Sequence, residues 1–138
     1  MQSQSSPSNS SIKEFLRLTV FTLLCFLALT YNLSEVPPYH TDENFYVTST
    51  RNMVASGDYI TPVYHEKKRF AKPILFYWMV AVSYKIFGVD LFSARLVSSF
   101  FASLCIPIVY ILARRLFNYN VAIISALLLP GCYLHFQI

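Results

Sequence analysis

Apolar residues in this chain fall into long blocks around one polar stretch, instead of recurring at strand or surface-helix spacing. The first block, Phe15 to Leu33, is about nineteen residues long, enough to cross the hydrocarbon core. Its one charge, Arg17, lies two places from the start and can reach the head groups. Leu91 to Leu112 is a second block, with Arg95 near its outer end and Pro107 expected to bend it. Val121 to Ile138 is a third. A further block, Ile74 to Val89, holds about fifteen residues, short of the roughly twenty needed to span. It is rich in Phe76, Tyr77, Trp78, Tyr84 and Phe87, side chains that favour the bilayer interface, and is expected to lie against the membrane surface.

The pattern predicts an all-α integral membrane protein with about three transmembrane helices, at 15–33, 91–112 and 121–138. A loop over 34–90 carries short juxtamembrane helices, and residues 1–14, Ser-rich with Pro7, form a disordered tail. Lys13 and Arg17 could serve the basic region of a cleaved signal peptide, but no small-x-small site follows Ala28, so the first block is read as an uncleaved span.

Within the loop, Pro37 and Pro38 end the first helix. Thr41 is suited to cap a helix over 42–55, with Asp42 and Glu43 in its first turn, where carboxylates favour the positive end of the dipole. Acidic residues behind a Thr cap are also ordinary helix chemistry. Gly57 is placed to stop that helix, and Asp58 to Pro62 reads as a turn.

Composition agrees with membrane: 55% of residues are hydrophobic, 17% aromatic and 13% charged, about half the charge of a soluble domain. The net charge of +4 includes the run Lys67, Lys68, Arg69, which has no interleaved stacking platform for nucleic acid and fits an anionic head group or phosphate. Cys25, Cys105 and Cys132 all lie in apolar blocks and are expected to be small buried hydrophobes, with no disulfide framework and no zinc site. His40, His65 and His135 show no ligand spacing, and no metal site is assigned.

The order Asp42, Glu43, Tyr46, Met53, Ser56, Gly57, Asp58, Pro62, then Phe70-x-Lys72-Pro73, Tyr77-Trp78 and Phe87-Gly88 resembles the first external loop of polyprenyl-phosphate-dependent GT-C membrane glycosyltransferases. These are the aminoarabinose transferases that modify lipid A and the protein O-mannosyltransferases. The resemblance covers roughly residues 15–138 and implies an N-terminal portion of such an enzyme, a partial GT-C fold.

It implies sugar transfer from a polyprenyl-phosphate donor to a hydroxyl or phosphate acceptor on a lipid, glycan or protein. Asp42 matches the family's catalytic acidic position, and Lys72 resembles its phosphate-binding lysine. Glu43 is a weaker candidate for acceptor or metal contact, and Lys67, Lys68, Arg69 and Lys85 are candidate head-group contacts. No cofactor is fixed, though a divalent cation has room in the scheme. Phe45 stands where lipid A relatives often carry an Arg, which leaves another hydroxyl acceptor open.

Lys13, Arg17, Arg114 and Arg115 flank spans on one side and assign it to the cytoplasm. Arg51, Lys67, Lys68, Arg69, Lys72 and Lys85 are more numerous on the other, but most of the 67–69 run is remote from span ends. The loop is therefore expected outside a plasma (inner) membrane, facing the periplasm. The competing reading is a small non-enzymatic membrane protein, a degenerate fragment, or a subunit of a split enzyme completed by a second chain.

Overall fold

The computed structural model describes residues 9–31, 33, 35, 41–65, 67, 68, 70 and 73–136. Among these, the elements are α1 (Asn9–Thr30), α2 (Thr41–Ser56), β1 (Val63–Tyr64), β2 (Lys67–Lys68), α3 (Ile74–Phe87), α4 (Leu91–Leu116) and α5 (Tyr119–Phe136). They form two units, one joining the segments up to Leu29 and from Phe100 onward, the other Thr30–Ser99. The expected helical class is observed, with one addition: β1 and β2 form a small antiparallel hairpin, pairing Val63 with Lys68 and Tyr64 with Lys67.

Helix α1 begins at Asn9 instead of Phe15, so residues 9–14, expected in a disordered tail, are helical. Residues 1–8 lie outside the described residues. The early start has a physical reason. Glu14 accepts a hydrogen bond from the Tyr110 hydroxyl of α4 and lies 3.6 Å from Arg114 Nε, so the first turns of α1 have partners. The Arg114 guanidinium also sits over the Tyr119 ring, 5.3 Å from its centroid.

The same unit is built with small side chains inside and large ones outside. Ala102, Ser103, Ala113, Ala122 and Ala126 are buried with Ile106, while Phe15, Leu23, Leu27, Ile108, Leu112 and Leu128 are exposed. A soluble core has the opposite arrangement. Small residues at helix contacts and large apolar ones facing outward are what helices adopt when the surrounding solvent is itself apolar. The cysteines follow this arrangement: Cys105 and Cys132 are exposed and Cys25 is half-buried, against the expectation that all three are buried.

Between Arg95 and Arg114, α4 runs without a charge for about 27 Å, near the thickness of the hydrocarbon core. Among the described residues it is the one helix both long and apolar enough to cross a membrane. The 22-residue α1 carries Lys13, Glu14 and Arg17, which shorten its apolar run. Helix α4 continues through Pro107 to Leu116, with Arg114 and Arg115 in the last turn, where cations suit the negative end of the dipole. Asn118 then caps α5, its side-chain oxygen accepting from the Val121 amide at 3.0 Å.

In the second unit, α3 packs its Val80 and Tyr84 against Ala94 and Val97 of α4, with Val47 and Val54 of α2 alongside. Its other face, Leu75, Trp78, Val82 and Ile86, is exposed and apolar. Gly88 stops α3 with φ 101°, its amide donating to Tyr84 O at 3.0 Å. Asp90 then caps α4, accepting from the Ser93 amide at 2.7 Å, and the Ser83 hydroxyl donates to Ser93 O at 2.6 Å. These bonds tie the end of α3 to the start of α4.

Candidate functional site

The polar loop is held by local bonds that its sequence dictates. Gly57 takes φ 74° and donates its amide to Met53 O at 3.0 Å, ending α2 in the left-handed conformation that glycine tolerates. Asp58 Oδ1 accepts from the amides of Ile60 at 2.9 Å and Thr61 at 3.1 Å, which closes the expected turn. The hairpin that follows turns after Tyr64, with His65 at φ 44°, and Asn52 Nδ2 donates to Val63 O at 2.9 Å to hold it on α2. Phe45 packs edge-on to Tyr64, and Tyr46 packs against Phe76 and Tyr77. Much of the motif therefore works as scaffold.

The Ile60 and Thr61 amides hold the Asp58 carboxyl below the usual carboxylate range. A depressed folded-state value contributes stability that is present above the ordinary value of 3.8 and lost as pH falls through the lower folded value. Acidification below about pH 4 is therefore expected to loosen this turn. Exchange rates of the Ile60 and Thr61 amides, corrected for intrinsic pH dependence, should rise there in the native chain and be raised already at neutral pH in Asp58→Ala.

Among the expected site residues, Asp42 and Glu43 are the second and third positions of α2, in its first turn as expected, although the helix starts at Thr41 itself, the residue expected to cap it from outside. The Asp42 side chain lies outside the described part of the structure, as do Arg69 and Lys72 entirely. Pro73, next to Lys72, takes the N-cap position of α3 with φ −57° and ψ 133°. Lys67 and Lys68 are exposed on β2. Lys85 stands 4.7 Å over the Tyr59 ring and lines a shallow pocket of about 260 Å³ with Tyr59, Trp78, Ala81 and Val82. Trp78 Nε1 donates to Tyr59 O at 2.6 Å and fixes that wall.

Glu43 is bound within the chain. Arg95 Nε approaches its Oε1 at 2.5 Å and Arg95 Nη2 its Oε2 at 3.0 Å, a two-pronged pair with side chains 13% and 24% exposed. Arg95 Nη1 also donates to Leu33 O at 2.5 Å. Sequence reading treated Arg95 as a charge at a span end and missed this pairing. A signal was present: a guanidinium in the second turn of an apolar helix needs a carboxylate partner. Among the described residues no group of three His, Cys, Asp or Glu is arranged to hold a metal.

Comparison with known proteins gives a consistent result. Residues 71–138 match the family model described as dolichyl-phosphate-mannose-protein mannosyltransferase. An uncharacterized protein of Aquifex aeolicus (strain VF5) is 35% identical over 119 residues, 86% of this chain and 23% of that protein. The undecaprenyl phosphate-alpha-4-amino-4-deoxy-L-arabinose arabinosyl transferase 2 of Pseudomonas fluorescens (strain Pf-5) is 33% identical over 103 residues, 75% of this chain and 17% of its own length. The corresponding arabinosyl transferase of Pseudomonas aeruginosa (strain PAO1) is 34% identical over 104 residues, 74% of this chain and 19% of its own. The chain thus spans less than a quarter of each of these relatives. No solved structure matches it.

Proposed function

We propose that this chain, which belongs to the GT-C membrane glycosyltransferase family, takes part in moving a sugar from a polyprenyl-phosphate donor to an acceptor hydroxyl or phosphate at the outer membrane face. The observation that carries the reading is the agreement of the family match over 71–138 with 33–35% identity across 74–86% of the chain. With a hydroxyl acceptor, the bond from the anomeric carbon to the phosphate oxygen breaks as the acceptor oxygen bonds to that carbon. Polyprenyl phosphate leaves, and the acceptor's proton passes to a carboxylate. Asp42 is assigned that proton. Residue 42 belongs to the first turn of α2, the end of a helix that favours negative charge. Lys72 is assigned the departing phosphate oxygens, as a point charge ahead of Pro73.

In this reading α1, α4 and α5 cross the bilayer, residues 34–90 lie outside, and α3 rests on the outer surface with Leu75, Trp78, Val82 and Ile86 against lipid. At 14 residues α3 is about 21 Å long, too short to cross. Lys85 and its aromatic wall, with Lys67, Lys68 and Arg69, then face anionic head groups. Single cysteines at Ser11 and Ser56, in a chain lacking Cys25, Cys105 and Cys132, test the orientation with an impermeant maleimide on intact cells. Labelling is expected at 56 and not at 11, and the opposite result would reverse the orientation. Spin labels walked along α3 are expected to alternate between lipid and water with a period of about 3.6 residues, and a smooth rise to a deep midpoint would make α3 a crossing helix.

A further inference from the structure

We propose that Arg95 is a positioning residue for the transfer reaction: its guanidinium fastens the first turn of α2, which carries Asp42, to the outer end of α4 and to the backbone at Leu33. The proposal rests on the assignment of Asp42 made above. Three segments distant in sequence meet on this one side chain, through two carboxylate oxygens of Glu43 and the Leu33 carbonyl.

The geometry points to a clamp. A lysine-like anchor reaching for head groups would be exposed, whereas the Arg95 side chain is 13% exposed. Both Glu43 oxygens accept from the guanidinium, at 2.5 and 3.0 Å, so the pair orients the carboxylate. The planar fork of Arg holds a carboxylate in one orientation as well as at one distance. Because Glu43 follows Asp42 directly on the same helical turn, fixing Glu43 fixes the rotation of α2 about its axis there.

The anchor is packed and capped. Arg95 lies between the buried Ala94 and Val97, and the turn before it is held by the Asp90 cap and the Ser83 bond to Ser93 O. A displacement of about 1 Å at a reacting group can lower turnover about a hundredfold, so a clamp of this kind bears on rate more than on donor affinity.

The test uses the native protein in membranes supplied with an undecaprenyl-phosphate sugar. Spin labels at the exposed Asn44 of α2 and at Val89, ahead of α4, report their separation. Arg95→Ala and Glu43→Ala are each expected to lower kcat by about ten- to a hundredfold, with donor KM changed by less than about twofold. The double variant should be no slower than the worse single one, and Arg95→Lys should recover part of the rate. The label separation should broaden in both alanine variants.

A large rise in donor KM with a narrow separation would make Arg95 a substrate contact and overturn the proposal. So would additive effects, or an unchanged kcat. If the alanine variants fail to accumulate, Arg95→Lys and Glu43→Gln, which each keep a hydrogen bond, carry the same comparison. An unchanged rate in Asp42→Asn would instead remove the assignment of the base, while the label separation still reports whether the clamp holds.

Discussion

Replacing Asp42 with Asn is expected to lower turnover by about a hundredfold or more, with the protein still inserted and accumulated normally, since positioned proton transfer contributes about 10² to 10⁴. The amide keeps the size of the carboxylate but cannot take the acceptor's proton. Position 42 is the second residue of α2, on a turn that Arg95 holds through Glu43, so the substitution leaves that turn its own support. The measurement is kcat in membranes, alongside protein quantity by immunoblot. A rate equal to the native one would reduce the acidic pair to a helix start.

Replacing Lys72 with Ala is expected to act differently, raising donor KM by about ten- to a hundredfold. A hydrogen bond to a charged group contributes about 1.5–3 kcal/mol, and each 1.4 kcal/mol is tenfold in affinity. If the ammonium also meets charge that grows on the departing phosphate, kcat falls as well. Steady-state titration of the donor separates the two. An unchanged donor KM would return Lys72 to the role of a membrane-surface anchor.

The helices were legible because each announces itself locally. Unbroken apolar runs gave α4 and α5 to within a few residues, and Gly57 and Asp58 marked an end of α2 that the backbone confirms with a positive φ and accepted amides. The hairpin at 63–68 was not legible. Its turn uses His65 at φ 44° in place of Asn or Gly, and one of its strands is a pair of lysines, so neither the turn chemistry nor the alternation of a strand was present.

The site was legible in part. The first helical turn that holds Asp42 and Glu43 was legible, but Glu43 finds its partner 52 residues away, a separation that no local spacing rule reaches. The early start of α1 was hidden for the same reason, since Glu14 is held by Tyr110 and Arg114 from the far end of α4. The exposed Cys105 and Cys132 show a further limit: burial inferred from apolar neighbours fails where the surroundings are lipid.

The most direct measurement is release of polyprenyl phosphate from an undecaprenyl-phosphate sugar, followed by mass spectrometry in membranes containing the native protein. Release coupled one-to-one to a glycosylated acceptor, present with Asp42 and nearly abolished by Asp42→Asn, is the expected result. Donor left intact with the native residue in place, or consumed equally by both forms, would contradict the assignment of this chain to the transfer reaction.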